Sequence, residues 1–197
     1  MDASDPILQW SITLSRAMGS LGEEVAIQAG EQLNFRIVRK ELINTAARLA
    51  GHPEVALAAM DDLGLLNINP SSQASRAYHA ALAQLMLAEA ERGGCIIIGR
   101  AGQAILKDSP HTLHVRITAP LAQRIDCVAA RLGISREAAQ EQVKSTDHTR
   151  SYYLRRYYHR RWDDPDQYDL VLNTARLTAS QAASMLCAAL QARARTG

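Results

Sequence analysis

Apolar residues recur along this chain in two alternating rhythms. Trp10 to Leu14 is a short apolar segment, and after the loop Ser15 to Gly22 the residues Val25, Ala26, Ala29 and Leu33 return at helical spacing. That order predicts strand, loop, helix. Phe35 to Val38 reads as a second short strand, followed by a helix through Leu42, Ala46 and Leu49 that Gly51, His52 and Pro53 end. A further helical piece is expected over Glu54 to Leu63. Leu65 to Ser75, with Asn67, Asn69 and Pro70, reads as a loop before a long helix marked by Tyr78, Ala81, Leu82, Leu85 and Glu89.

Gly93 and Gly94 stop that helix, and Cys95 to Ile98 is a continuous apolar run of the kind that is covered on both faces. Leu113 to Ile117 gives another strand. Pro120 opens a helix through Leu121, Ile125, Val128 and Leu132, with Gly133 as its stop. Ser135 is placed to cap a helix through Val143, and Asp147 to Arg161 reads as a separate, tyrosine-rich helical stretch ended by Asp163, Asp164 and Pro165. Tyr168 to Leu172 is the last strand, and Thr178 with Gln181 forms a capping box for the final helix.

Strands alternating with helices imply an α/β fold with a parallel sheet of about five strands, helices on both faces, and Trp10–Leu14 and Cys95–Ile98 at its centre. Such sheets bind ligands at the carboxyl ends of their strands, which directs attention to the loops after Leu14 and Ile98. The 197 residues suit one domain, 1–197. Hydrophobic residues make up 47% of the chain but aromatic ones only 5%, so the core is expected to be helix-rich and packed through small side chains.

A formal charge of +2 gives no whole-chain electrostatic case for nucleic acid or membrane, so any anion site must be local. No window approaches the length of a membrane span, and the amino terminus lacks the pattern of a signal peptide. Cys95, Cys127 and Cys187 are too widely spaced for a metal hook and read as small buried hydrophobes. Reduced thiols fit a cytoplasmic protein.

The loop Ser15–Gly22 lies where backbone N–H groups and a helix N-terminus together make an anion site. It lacks the lysine of a full phosphate-binding loop. Farther on, Arg150, Arg155, Arg156, Arg160 and Arg161 alternate with Tyr152, Tyr153, Tyr157 and Tyr158. On a helical wheel these arginines point in most directions. That suits a lid helix crossing open space to close on polyphosphate, while the rival reading is a single-stranded nucleic-acid platform. His111 and His114 flank a strand without converging ligands, and Asp163, Asp164 and Asp166 are explained by a turn, so no metal site is assigned. Asp147 stands one turn before Arg150, where it can orient that arginine or cap the helix.

Ser15-Arg16-x-x-Gly19-Ser20-x-Gly22-x-Glu24-Val25-Ala26 resembles the amino-terminal signature of the cytidylate kinase-like family. The resemblance continues through Lys40-Glu41-Leu42-Ile43, Ile97-Ile98-Gly99-Arg100 and Thr146-Asp147-x-x-Arg150. It ends on Trp162-x-Asp164-Pro165-x-x-Tyr168-Asp169-Leu170-x-Leu172-Asn173-Thr174. It implies a three-layer P-loop fold with a helical lid at roughly 133–165. The implied activity is phosphoryl transfer from ATP, with Mg²⁺, to a nucleoside monophosphate. It also implies roles: Arg16, Gly19, Ser20, Leu21, Gly22, Glu23, Glu24 and Asn173 toward ATP, Lys40 and Arg100 toward the acceptor, and Arg100, Asp147, Arg150 and Arg155 in catalysis. A small-molecule nucleotide rather than a nucleic acid is the expected partner, and a homo-oligomer is compatible with this.

The chain departs from the pattern at Leu21, where a glycine is expected, at Arg39, where an aspartate is expected, and at Ala101-Gly102, which inverts a small-residue pair. These departures define a second reading: a catalytically silent relative that binds a nucleotide or another phosphate ligand as a sensor or interaction module.

Overall fold

A computed structural model describes residues 6–49, 51 and 73–195 of the protein. Five strands, β1 (Ser11–Arg16), β2 (Arg36–Val38), β3 (Cys95–Ile98), β4 (Thr112–Thr118) and β5 (Leu170–Asn173), form one sheet in the order β2-β3-β1-β4-β5. Every pairing is parallel. The expected position of the two apolar strands holds: β1 is central and β3 is its neighbour, so both are interior. β3 is buried throughout, as its unbroken Cys95-Ile96-Ile97-Ile98 run requires.

β1 is built differently. Ile12 and Leu14 face a cluster with β4, the helix α1 (Gly22–Leu33) and the C-terminal helix, here α7 (Ala179–Ala194). Ser11, Thr13 and Ser15 face the other way and are equally buried. That polar face is satisfied locally: Ser11 Oγ lies 2.9 Å from Thr112 Oγ1, and Thr13 Oγ1 lies 2.7 Å from His114 Nδ1. The central strand therefore alternates although both its faces are covered.

The second core cluster packs α2 (Lys40–Leu49), α3 (Gln73–Arg92) and the short α4 (Gly102–Ile105) against β3 through Ala46, Leu82, Met86, Ile97 and Leu106. The loop expected up to Ser75 ends earlier, because Gln73 already belongs to α3. The expected helix Glu54–Leu63 and residues 65–72 lie outside the described residues, as does the side chain of Lys40.

The two expected helical pieces after Gly133 are one helix, α6 (Arg136–Tyr158), which follows α5 (Leu121–Leu132). Lys144-Ser145-Thr146 contains no breaker, and the one local competitor, the Thr149 hydroxyl, simply donates back to Ser145 O at 3.0 Å. Ser135 caps its start and a left-handed His159 ends it, three residues before Trp162. Ile125, Val128, Ala139 and Val143 zip α5 to the first half of α6 as a small separate cluster. The second half does not cross open space as the wheel suggested. Tyr153, Leu154, Tyr157 and Tyr158 form a stripe along one face that packs against α3, leaving Arg155 and Arg156 exposed.

The segment returning from α6 closes over the polar face of β1. Trp162 Nε1 donates to Ser15 Oγ at 2.8 Å, and the Tyr168 hydroxyl donates to Trp162 O at 2.9 Å. Beneath them Arg116, only 8% exposed, donates to Trp162 O at 2.7 Å with its guanidinium 4.2 Å above the indole ring. Among the described residues no helix is long and apolar enough to cross a membrane.

Candidate active site

The loop after β1 makes its turn through two left-handed residues, Gly19 (φ 78°) and Leu21 (φ 60°). A Cβ on Gly19 would collide with the carbonyl of Arg124, and one on Gly22 with the side chain of Arg16, so both positions require glycine. Leu21 has no such relief; a leucine in this conformation costs roughly 1–2 kcal/mol. It stands as the N-cap of α1 without a side-chain cap, where its own carbonyl accepts from Val25 N at 2.9 Å.

Four side chains hold the loop in place. The single Ser20 Oγ hydrogen points inward, shared between Ala17 O at 2.8 Å and Ile117 O at 3.2 Å, and Thr174 Oγ1 donates to Ser20 O at 3.0 Å. Asp147 accepts from Met18 N at 2.9 Å with one oxygen and from Arg124 Nη1 at 2.5 Å with the other. Arg124 also donates to Met18 O at 3.0 Å. The expectation that Asp147 orients Arg150 is thus corrected: its carboxylate is taken by Arg124 on α5 and by the loop itself. Helical spacing placed Asp147 and Arg150 on one face but could not reveal that α5 packs alongside with a cation of its own.

The loop encloses a concavity of about 90 Å³ lined by Arg16–Glu24 together with Arg131 and Arg150. The backbone amides at the start of α1 and three guanidinium groups meet there, which is an anion-binding arrangement. Arg150 Nη1 donates to Arg16 O at 3.0 Å, so the α6 arginine reaches the end of β1. Two acids temper the charge. Glu23 bridges Arg16 and Arg39, each at 3.2 Å, and Glu24 lies 3.8 Å from Arg131. Arg39, where the family pattern suggests an acid, thus has its charge answered by Glu23 on α1.

After β3 the backbone is more unusual still: Gly99, Arg100 and Ala101 have φ of 75°, 55° and 57°. Two successive non-glycine residues in the left-handed region store on the order of 1 kcal/mol each, and such strain persists only where the surroundings enforce it. Arg16 Nη1 lies 2.7 Å from where a Gly99 Cβ would stand, so the glycine lets the arginine of the first loop cross onto the second. Gly102 packs on Thr13, which a larger residue would displace.

Of the residues singled out from sequence, Arg16, Gly19, Ser20, Leu21, Gly22, Glu23, Glu24 and Arg150 line the concavity, and Asp147 braces its floor. Arg100 is not among the lining residues; it follows β3 on the turn whose Gly99 meets the Arg16 guanidinium. Two others lie apart from the lining. Asn173 accepts from Ala175 N at 2.9 Å in its own turn, and Arg155 is exposed on the last turn of α6. Arg124, Arg131 and Thr174 were missed, because nothing in a helical arginine or a post-strand threonine announces which loop it will touch. Burial raises the thiols of Cys95 and Cys187 to about 11, as inert core cysteines require.

Comparison with known proteins supplies a context. The model of the Cytidylate kinase-like family matches residues 11–176. A cytidylate kinase from Ignicoccus hospitalis is 28% identical over 165 residues, covering 83% of this chain and 89% of that protein. A uronate isomerase from Corynebacterium glutamicum is 33% identical over 93 residues, 47% of this chain but only 18% of that protein. Among solved structures, an uncharacterized protein from Eubacterium ventriosum has a TM-score of 0.72 at 22% identity, covering 92% of this chain and 98% of that one. Shikimate kinase from Bacteroides thetaiotaomicron has a TM-score of 0.53 at 10% identity, covering 92% and 98%. These likenesses establish the P-loop kinase fold.

Proposed function

This chain belongs to the cytidylate kinase-like family, and on that premise we propose that it transfers the terminal phosphoryl group of ATP to a nucleoside monophosphate. The observation that carries this reading is the meeting of Arg16 and Arg150 on a glycine-built cradle at the start of α1. Amides of the loop and these guanidinium groups bind the polyphosphate, and Arg100, on its strained turn, grips the acceptor phosphate. An acceptor oxygen then bonds to the γ-phosphorus as the bond to the β–γ bridging oxygen breaks and ADP departs. No proton need move, so the work is positioning and charge stabilisation. Asp147 and Arg124 act as positioning residues, holding the loop through Met18.

Mg²⁺ belongs to the chemistry the family implies, where it would neutralise charge on the transferring phosphates. No group of three or more His, Cys, Asp or Glu side chains suited to a metal ion occurs among the described residues. The Ser20 hydroxyl points into the core. The donors of the described residues do not make a metal cage.

Two observations favour the second reading, a silent nucleotide-binding relative. Leu21 puts a side chain where the backbone must approach phosphate, and Glu23 places a carboxylate at an anion site. The deciding experiment measures ATP-dependent thermal stabilisation alongside ADP formation with CMP, UMP and AMP as acceptors. ADP formation dependent on the acceptor supports the kinase reading. Stabilisation without ADP formation moves the protein to the second reading, and the absence of both refutes the two together.

A further inference from the structure

Near Arg100 the structure buries more hydrogen-bond donors than its own groups can use. Tyr78 comes from α3, and Tyr153 and Tyr158 come from the last turns of α6; the first two are 1% and 6% exposed. The Tyr153 and Tyr158 rings lie 5.8 Å apart, edge to face, and both pack around His79. The hydroxyls are close enough to influence one another, and the Arg100 guanidinium acts on all three. Burial raises their proton affinity, Tyr158 to about 12, and Arg100 lowers it. All three are therefore neutral O–H groups near neutral pH.

Tyr153 Oη has a partner in His79 Nδ1 at 3.4 Å. Tyr78 Oη meets no partner in hydrogen-bond geometry among the described residues, and Tyr158 Oη has only the Tyr153 hydroxyl near it, outside good hydrogen-bond geometry, although both are buried. Buried hydroxyls left unpaired are costly, and phenylalanine would fill the same space without that cost. Neutral donors gathered beside a guanidinium suit one chemistry, an oxyanion with several acceptor oxygens.

We infer that Tyr78 and Tyr158 donate their hydroxyl hydrogens to the acceptor's phosphate, so that this oxyanion is bound by α3, α6 and the Arg100 turn together. This rests on the proposed function, since it names the acceptor end of the same site. It adds two substrate-binding residues. It also gives α6 a role on each side of the reaction, through Arg150 toward the polyphosphate and through Tyr158 toward the acceptor.

The test is calorimetric titration of CMP, UMP and AMP into the parent, Tyr78→Phe, Tyr158→Phe and a Tyr152→Phe control, with ligand-free melting of each. The expected result is a loss of affinity of about tenfold to a hundredfold for Tyr78→Phe and Tyr158→Phe, alike for all three monophosphates. The control stays parent-like, and ligand-free melting temperatures stay equal to the parent's or rise. Parent-like affinity in the two variants overturns the inference, as does a loss confined to one base. A lowered ligand-free melting temperature overturns it by showing that the hydroxyls serve the fold, and a parent that binds none of the three overturns it outright. ADP formation is read separately: a parent that binds monophosphates but forms no ADP refutes the kinase reading while the pocket stands or falls on the titrations.

Discussion

Removing the carboxylate of Asp147 tests how the phosphate loop is held. Asp147 and Arg124 have side chains only 18% and 12% exposed, and their closest contact is 2.5 Å. Asp147→Ala takes away that ion pair and the acceptor for Met18 N, and leaves Arg124 buried with only the carbonyls of Met18 and Ala119. Breaking one side of a buried pair costs about 3–5 kcal/mol. Because both groups keep some contact with water, the lower end applies, about 3 kcal/mol. For a chain of this size that lowers the melting temperature by roughly 6–12 °C. Arg124→Ala should cost a similar amount, and the double variant clearly less than the sum, with a coupling of about 1.5 kcal/mol or more. Urea unfolding of the parent, both single variants and the double variant measures this cycle. Asp147→Asn, which keeps the acceptor for Met18 but loses the charge, should fall in between. Costs that add within about 0.5 kcal/mol would mean that the two residues act independently, and the account of the loop's brace would be wrong.

Four further outcomes follow from the same geometry. Leu21→Gly removes a left-handed leucine, so it should leave stability within about 1 kcal/mol of the parent while tightening ATP binding, read by titration; weaker binding would show that the leucine serves the cradle. Arg150→Ala should lower turnover by on the order of a hundredfold with little change in melting temperature, whereas Arg193→Ala, on the far side of the fold, should do neither; equal turnover in the two removes Arg150 from the mechanism. Burial lowers His79 to about 4, so the unfolded chain binds the extra proton between its ordinary value and about pH 4. Stability should therefore fall as pH drops through that window, and the fall should lessen in His79→Phe, as melting at stepped pH would reveal. At pH 8 a thiol-specific reagent should modify Cys127 first, because only about a thousandth of Cys95 or Cys187 would be thiolate with a value near 11; early labelling of Cys95 would contradict its burial.

What could be read from the chain is what depends on local pattern. Gly93-Gly94 before Cys95-Ile96-Ile97-Ile98, Pro120 with Gly133, and the Thr178–Gln181 box announce their elements because turn chemistry and periodicity act over a few residues. The parallel sense of the sheet and the interior place of β1 and β3 followed from the strand–helix alternation and the apolar runs, whereas the full strand order did not. The division of α6 into two pieces was wrong because a charged, apolar-poor stretch around Ser145 resembles a break to periodicity, although nothing in it interrupts the hydrogen-bond ladder. At the site, the two loops were visible as glycine-bearing ends of strands. Their braces were not: Arg124, Asp147 and Thr174 reach the loop from three elements distant in sequence, and no local signal records which carboxylate a helix will meet. The tyrosines of α6 showed as an aromatic run, but only the packing of α3 reveals that the Tyr78 and Tyr158 hydroxyls are buried beside Arg100 without a partner in good geometry.

The closure over β1 also gives the molecule an optical reporter of its own. The chain has two tryptophans, Trp10 and Trp162. Trp10 sits at the opposite, amino-terminal end of the strand, edge-on to His111 at 5.5 Å, where events at the phosphate loop will scarcely reach it. Trp162 is pinned by its indole nitrogen to Ser15, one residue before the arginine of that loop, with a guanidinium against its ring. Its emission is thus set by a nearby positive charge and by a hydrogen bond to the strand that ends in the cradle. A Trp10→Phe protein would leave a single tryptophan wired to the site, so ligand arrival becomes visible without a label when the tryptophan is excited selectively over the six tyrosines. Stopped-flow records of that one signal would separate how fast a nucleotide arrives from how fast α6 and its return segment settle around it.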